Sequence, residues 1–307
     1  MQSRTDGHRC PASPLGVNNL SRFSLRATAL AATLLSMPLG ACVAQVSERQ
    51  FIRPVPGGTL TAEVLSAAAP SYALTTHSIA SADGVTLHAV YLRQPGAKVT
   101  VIYFGGNNYT IERFGAKTAA FFAPLGVDVF IADHRGYGLS QGKPTAAALE
   151  ADGLAVFDYL SGLPSADPVR IVLHGQSLGS FTAGNVAANR PAAGVVLESS
   201  VTTTEDWVEA QTAGMPIKVK IDEALKGRGN LSKMAAIEEP LLLLVGSLDK
   251  TTPARFSEAL YKASSLPPEQ KFLKIVEGAS HHDVLTKPEA ATTYAEFLRR
   301  IADSQRP

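Results

Sequence analysis

From about residue 75 onward the chain alternates short, apolar, β-rich runs with amphipathic stretches, and this leaves few architectures open. The runs at 99–104, 127–132, 169–174, 194–197, 241–245 and 272–276 are rich in β-branched residues or leucine, and each is bounded by Gly, Pro, Asp or Ser. Short continuous runs of this kind read as strands buried on both faces, as in a parallel sheet. Residues 85–93 alternate apolar and polar, which reads as a half-buried strand. In 287–304, Tyr294, Phe297, Leu298 and Ile301 share one face at helical spacing. Strands alternating with helices imply an α/β fold with a mostly parallel central sheet flanked by helices. Ligands in such sheets gather beyond the carboxyl ends of the strands, so the loops there are where chemistry is to be sought.

The pattern Gly-x-Ser-x-Gly occurs twice, at Gly138–Gly142 and at Gly175–Gly179. It carries chemistry only where a strand runs into a sharp turn and then a helix, because that turn lifts the serine hydroxyl clear of the backbone. Ser177 has that setting, between the run ending in Leu173-His174 and the helix-like stretch 178–189. Ser140 lies between Asp133-His134-Arg135-Gly136-Tyr137 and Gly142-Lys143-Pro144 with no adjoining strand, and reads as a turn residue. A serine hydroxyl is a weak nucleophile and needs a base, and the base needs an orienting acid. The run at 241–245 leads into Gly246-Ser247-Leu248-Asp249, and the run at 272–276 into Gly278-Ala279-Ser280-His281. Asp249 is therefore the candidate acid and His281 the candidate base, 72 and then 32 residues further along the chain. Gly105-Gly106-Asn107, just past 99–104, offers a close-approaching backbone whose Asn107 amide, with that of Leu178, could hold an oxyanion; a simple strand-to-helix turn is the alternative. His174 reads as packing under the turn, and Asp133 and His134 as holding their own loop.

These residues resemble the α/β-hydrolase group that includes serine aminopeptidases and monoglyceride lipase-like enzymes, over about residues 75–303. Asp133-His134-Arg135-Gly136-Tyr137-Gly138-x-Ser140, Leu248-Asp249-x-x-x-Pro253 and Gly278-Ala279-Ser280-His281 are similar to that group's loops. The resemblance implies an α/β-hydrolase fold and a Ser177-Asp249-His281 triad in the group's chain order, with backbone donors at Asn107 and Leu178. Two departures stand out. Gly105-Gly106 replaces the usual His-Gly, and Ser280 replaces the usual Gly before the histidine. The expected activity is cleavage of carboxylic esters through an acyl-enzyme, with a peptidase or amidase using the same triad, or a non-hydrolytic scaffold, as alternatives. No cofactor is expected. His281, His282 and Asp283 are adjacent rather than convergent and no metal-ligand spacing occurs, so no metal is expected either.

The residues before this domain read differently. A basic flank at 22–26, an apolar run of about 13 residues at 27–39 and small residues after it make a secretory signal, too short to span ~30 Å of hydrocarbon. Leu39-Gly40-Ala41-Cys42 resembles a bacterial lipobox, which implies cleavage after residue 41 and lipid on Cys42. The alternative is a plain signal cut near Ala44. The lipobox reading predicts an exported protein anchored in a membrane, facing the periplasm or cell exterior. It also leaves Cys42 as the one cysteine, since Cys10 is the only other. Residues 42–74 read as a linker or wrap. The stretch 201–235 lacks a clean strand and reads as a short cap over the site or as a plain connecting helix pair. With 28 basic and 27 acidic residues the chain has a net charge of +1, which gives no reason to expect nucleic acid as a partner. The expected partner is a small-molecule ester or peptide.

Overall fold

The computed structural model describes residues 43–59 and 62–304. Residues 1–42, with the segment read as a secretory signal and Cys42, lie outside the described residues.

Among the described residues, ten strands fall at β1 (Val43–Val46), β2 (Ala73–Ala80), β3 (Thr86–Arg93), β4 (Thr100–Phe104), β5 (Asp128–Ala132), β6 (Ile171–Gln176), β7 (Gly194–Glu198), β8 (Lys218–Ile221), β9 (Leu241–Gly246) and β10 (Lys271–Val276). The helices are α1 (Glu48–Phe51), α2 (Ala62–Ala68), α3 (Ile111–Phe122), α4 (Ala146–Ser161), α5 (Leu178–Ala187), α6 (Thr204–Thr212), α7 (Ala254–Ala263) and α8 (Pro288–Ser304). Eight strands form one sheet in the order β10-β9-β7-β6-β4-β5-β3-β2. Pairing is antiparallel at β2–β3 and β3–β5 and parallel everywhere else in that sheet.

The two-residue period of the strands divides the core between two faces. Val101 and Tyr103 of β4 and Val129 and Ile131 of β5 pack with Ile111 and Phe122 of α3 and Tyr294 and Phe297 of α8. Their neighbours Ile102, Phe104 and Phe130 face the opposite way, with Val156 and Phe157 of α4 and Val186 of α5. A strand buried on both faces has no polar face to show, which is why these runs are continuously apolar. β2 was not foreseen, because it is an edge strand: Ile79 is its single fully buried residue, so no apolar alternation marks it. The chain therefore joins the sheet at residue 73.

β1 and β8 form a separate two-stranded parallel pair, with Val43 opposite Lys218 and Val46 opposite Ile221. The sequence reading saw no strand in 201–235. Its four residues Lys218-Val219-Lys220-Ile221 find their partner more than 170 residues upstream, which no local pattern reveals. A third apolar cluster joins these segments: Phe51 and Ile52 pack with Tyr137, Leu178, Phe181, Val201 and Leu225, and half-buried Trp207 closes against them. The rings of Phe51 and Trp207 meet edge-on at 5.2 Å.

Candidate active site

Ser177 stands between β6 and α5 with φ 52° and ψ −115°, a conformation that a non-glycine residue reaches only under strain. Its neighbours make the turn possible by having no side chain. A Cβ at Gly175 would collide with the backbone of Gly179, and one at Gly179 with the carbonyls of Phe104 and Gly105. The turn is pinned by the Ser177 amide donating to the Glu198 carbonyl (2.9 Å) and by the Ser180 hydroxyl donating to the Ser177 carbonyl (2.6 Å).

The loops after β9 and β10 are joined to each other. The amides of Ser247 and Leu248 donate to the carbonyls of Val276 and Ala279, both at 2.9 Å, and a Cβ at Gly246 would strike the backbone of Ala279. This brings Asp249 and His281 to the serine. His281 Nε2 lies 2.9 Å from Ser177 Oγ, and His281 Nδ1 lies 2.9 Å from Asp249 Oδ2. Asp249 and His281 are both buried. Asp249 also accepts the amides of Thr251 and Thr252 at 2.8 Å on Oδ1, and the Thr252 hydroxyl at 2.8 Å on Oδ2. Burial pushes the Asp249 carboxyl up, but the hydrogen bond and charge of His281, with the help of Thr252, outweigh it and hold the carboxyl below its ordinary range. His282 is exposed and lines the cavity over Ser177, its ring edge-on to that of His281 with centroids 4.9 Å apart.

The Gly105–Asn107 loop packs against the serine turn. A Cβ at Gly106 would meet the Gln176 side chain and crowd Ser177, and one at Gly105 would run into the ring of Tyr109. Glycine at 105 is thus required by Tyr109, which accounts for one departure from the family pattern. At the other, the Ser280 hydroxyl donates to Asp283 Oδ1 at 2.8 Å and braces the histidine loop. Among the described residues, the amides of Asn107 and Leu178 donate to no protein acceptor. The Asn107 side chain is held on three sides: Nδ2 donates to the Phe51 carbonyl (2.8 Å), while Oδ1 accepts from the Arg53 amide (3.0 Å) and the Tyr137 hydroxyl (2.8 Å). From beneath, buried His134 Nε2 lies 2.7 Å from the Gly105 carbonyl.

The other sequence candidates have structural partners. Ser140 is buried, donating to the Asp133 carbonyl (2.7 Å) and accepting the His88 amide (2.8 Å). Asp133 accepts the Ile111 amide at 2.8 Å and so fixes the start of α3. His174 is fully buried, with Nε2 3.0 Å from Glu198 and its ring stacked on Tyr294.

A cavity of about 280 Å³ opens over Ser177, lined by Phe51, Leu178, Phe181, Val201, Trp207 and His281 among others. Among the described residues, no carboxylate lines it. Sequence reasoning missed Thr252, Tyr137 and the Phe51–Arg53 strap. Thr252 was legible: an Asp followed by hydroxyl residues before a proline is an Asx-turn signal. The strap was not, because its contacts join positions more than fifty residues apart. Among the described residues no group of His, Cys, Asp and Glu is placed to hold a metal, and no helix is long and apolar enough to cross a membrane.

Comparison with known proteins agrees with this architecture. The family model for serine aminopeptidase, S33, matches residues 95–226. An uncharacterized protein of Mycobacterium tuberculosis is 30% identical over 202 residues, which is 66% of this chain and 70% of that protein. The human α/β hydrolase domain-containing protein 17B is 26% identical over 225 residues, covering 72% of this chain and 71% of its own. An esterase of Pyrococcus furiosus superposes with a TM-score of 0.65 at 20% identity, over 81% of this chain and 98% of that one. With a strand-turn-helix serine, two stitched loops beyond β9 and β10, and relatives alike in sequence and in fold, the chain belongs to the α/β-hydrolase superfamily.

Proposed function

We propose that the protein is a serine hydrolase that cleaves carboxylic esters through an acyl-enzyme on Ser177. As Ser177 Oγ attacks the ester carbonyl, its proton passes to His281 Nε2, and Asp249 steadies the imidazolium through Nδ1. The negative charge that develops on the carbonyl oxygen is received by the Asn107 and Leu178 amides. His281 then returns the proton to the departing alkoxide. A water, deprotonated by the same histidine, releases the acid and restores Ser177. The observation that carries this reading is the unbroken chain of 2.9 Å contacts from Ser177 to His281 to Asp249, built on a strained turn.

The description of the matched family favours a second reading, an aminopeptidase. A peptide's amino terminus is a cation; among the described residues no carboxylate lines the cavity over Ser177, and Glu198 in the adjoining chamber is buried and already engaged by His174. Esters need no such group, so the ester reading is preferred. Residues 201–235, with Trp207 and Val201 in the cavity wall, serve in this reading as a cap over the site. A panel of p-nitrophenyl esters and aminoacyl anilides, with a fluorophosphonate probe in parallel, tests it. Ester turnover with labelling is expected; labelling with anilide turnover alone would favour the peptidase.

We also propose export and lipid attachment at Cys42, on the sequence pattern alone. Cys42→Ser should move the protein from the membrane fraction to the soluble one, because stable anchoring needs more than one acyl chain. An unmodified mature terminus near Gln45 in an intact-mass measurement would overturn that reading.

A further inference from the structure

The cavity over Ser177 is one of two that meet there. A second, of about 690 Å³, lies beyond Asn107, Asn108, Gln176 and His282, which line both. That volume is within the range of small-molecule sites, and the catalytic steps above make no use of it. Its walls are largely apolar: Tyr109 and the half-buried Phe114 and Phe121 on one side, Leu285 on the other.

Charge gives the chamber a direction. Its inner residues, Tyr103 and Glu198, are buried, and Glu198 is engaged by His174. The exposed residues at its edge include Arg113 and Lys117, one turn apart on α3. Arg113 donates to the Asn108 carbonyl (3.1 Å) and lies over the Phe114 ring. Among the described residues, no carboxylate forms an ion pair with Arg113 or Lys117. An apolar groove with a carboxylate at its inner end and two unneutralised cations at its rim suits a chain whose charge is negative and outermost.

We propose that this chamber is a second substrate subsite, taking an apolar arm of the ester that runs from Ser177 past Gln176 and His282 and ends in an anionic group held by Arg113 and Lys117. The substrate class is then the esters of anionic amphiphiles. The word substrate rests on the ester-hydrolase reading; the binding claim does not. Carboxylate and phosphate termini share the required chemistry.

The test is equilibrium binding to the Ser177→Ala protein, at low salt and below micelle formation, of octanoate, octyl phosphate and the neutral octyl glucoside. One or both anions should bind roughly 5- to 10-fold tighter than the glucoside, and the stronger anion identifies the preferred terminus. Lys117→Gln, at an exposed position and so free of folding cost, should reduce that advantage. Arg113→Gln/Lys117→Gln should abolish it, and added salt should weaken it. Equal binding of all three amphiphiles, or an anion preference that survives the double variant, would overturn the subsite. Because no turnover is read, failure here is distinct from failure of the ester reading, which would show as absent turnover of the p-nitrophenyl esters by the wild-type protein.

Discussion

The same five-residue pattern, Gly-x-Ser-x-Gly, is used in this molecule in two opposite ways. At Gly175–Gly179 the serine itself takes the left-handed conformation, at φ 52°, and the glycines are needed for lack of volume. At Gly138–Gly142 the glycines take it, at φ 50° and 82°, and the serine is relaxed. Strain on Ser177 presents its hydroxyl to His281; the relaxed backbone at Ser140 turns its hydroxyl inward, where one donor and one acceptor use it up. The motif is therefore a statement about backbone shape. What it does depends on which residue bears the positive φ.

The largest predicted effects fall on the strained copy. Ser177→Ala and His281→Ala should each lose roughly 10⁴-fold or more in kcat, read by p-nitrophenyl ester turnover, with the fold intact by circular dichroism. Asp249→Asn should lose about 10³- to 10⁴-fold, because the amide no longer favours the imidazolium or fixes its tautomer. If Asp249→Asn kept more than about a tenth of the activity, the orienting role would have to move to another group such as Thr252, which lies 3.1 Å from His281 Nδ1.

Glycine substitutions sharpen the contrast. Gly179→Ala should cost about 1–3 kcal/mol in urea unfolding, and should also lower kcat by displacing the Gly105–Asn107 loop that its Cβ would strike. Gly138→Ala should cost a similar amount, through its positive φ and the Asp133 carboxylate in its way. Activity per folded molecule should survive it. Ser140→Ala should likewise affect stability alone: it leaves the buried Asp133 carbonyl and His88 amide short of a partner, for about 1–3 kcal/mol and no loss of labelling. His282→Ala should lower kcat far less than His281→Ala, because its ring lines the cavity without contacting Ser177 Oγ. A His282→Ala loss as large as that of His281→Ala would shift the base by one residue.

Much of this was legible in the sequence because it is local. Buried strands show as continuous apolar runs, and the nucleophile, acid and base candidates each sit just past one. β6 is displaced from the apolar run at 169–174: Pro168–Arg170 form a 3-10 turn with Val169 exposed, and the strand runs from Ile171 to Gln176, into the polar residue before the serine. The edge strand β2, with Ile79 as its single fully buried residue, left no pattern to find. The β1–β8 pair and the grip of Phe51 and Arg53 on Asn107 join segments remote in sequence, and each segment alone is short. The role of Tyr109 in making Gly105 obligatory is likewise a matter of volume, visible only in three dimensions.

The central claim is that the strained serine, and not the relaxed one, is the nucleophile. Fluorophosphonate adducts on the wild-type protein, located by peptide mass spectrometry after proteolysis, test it most directly. The account predicts one adduct per chain, on the peptide containing Ser177, and none in Ser177→Ala. An adduct on Ser140, or labelling that persists in Ser177→Ala, would contradict it.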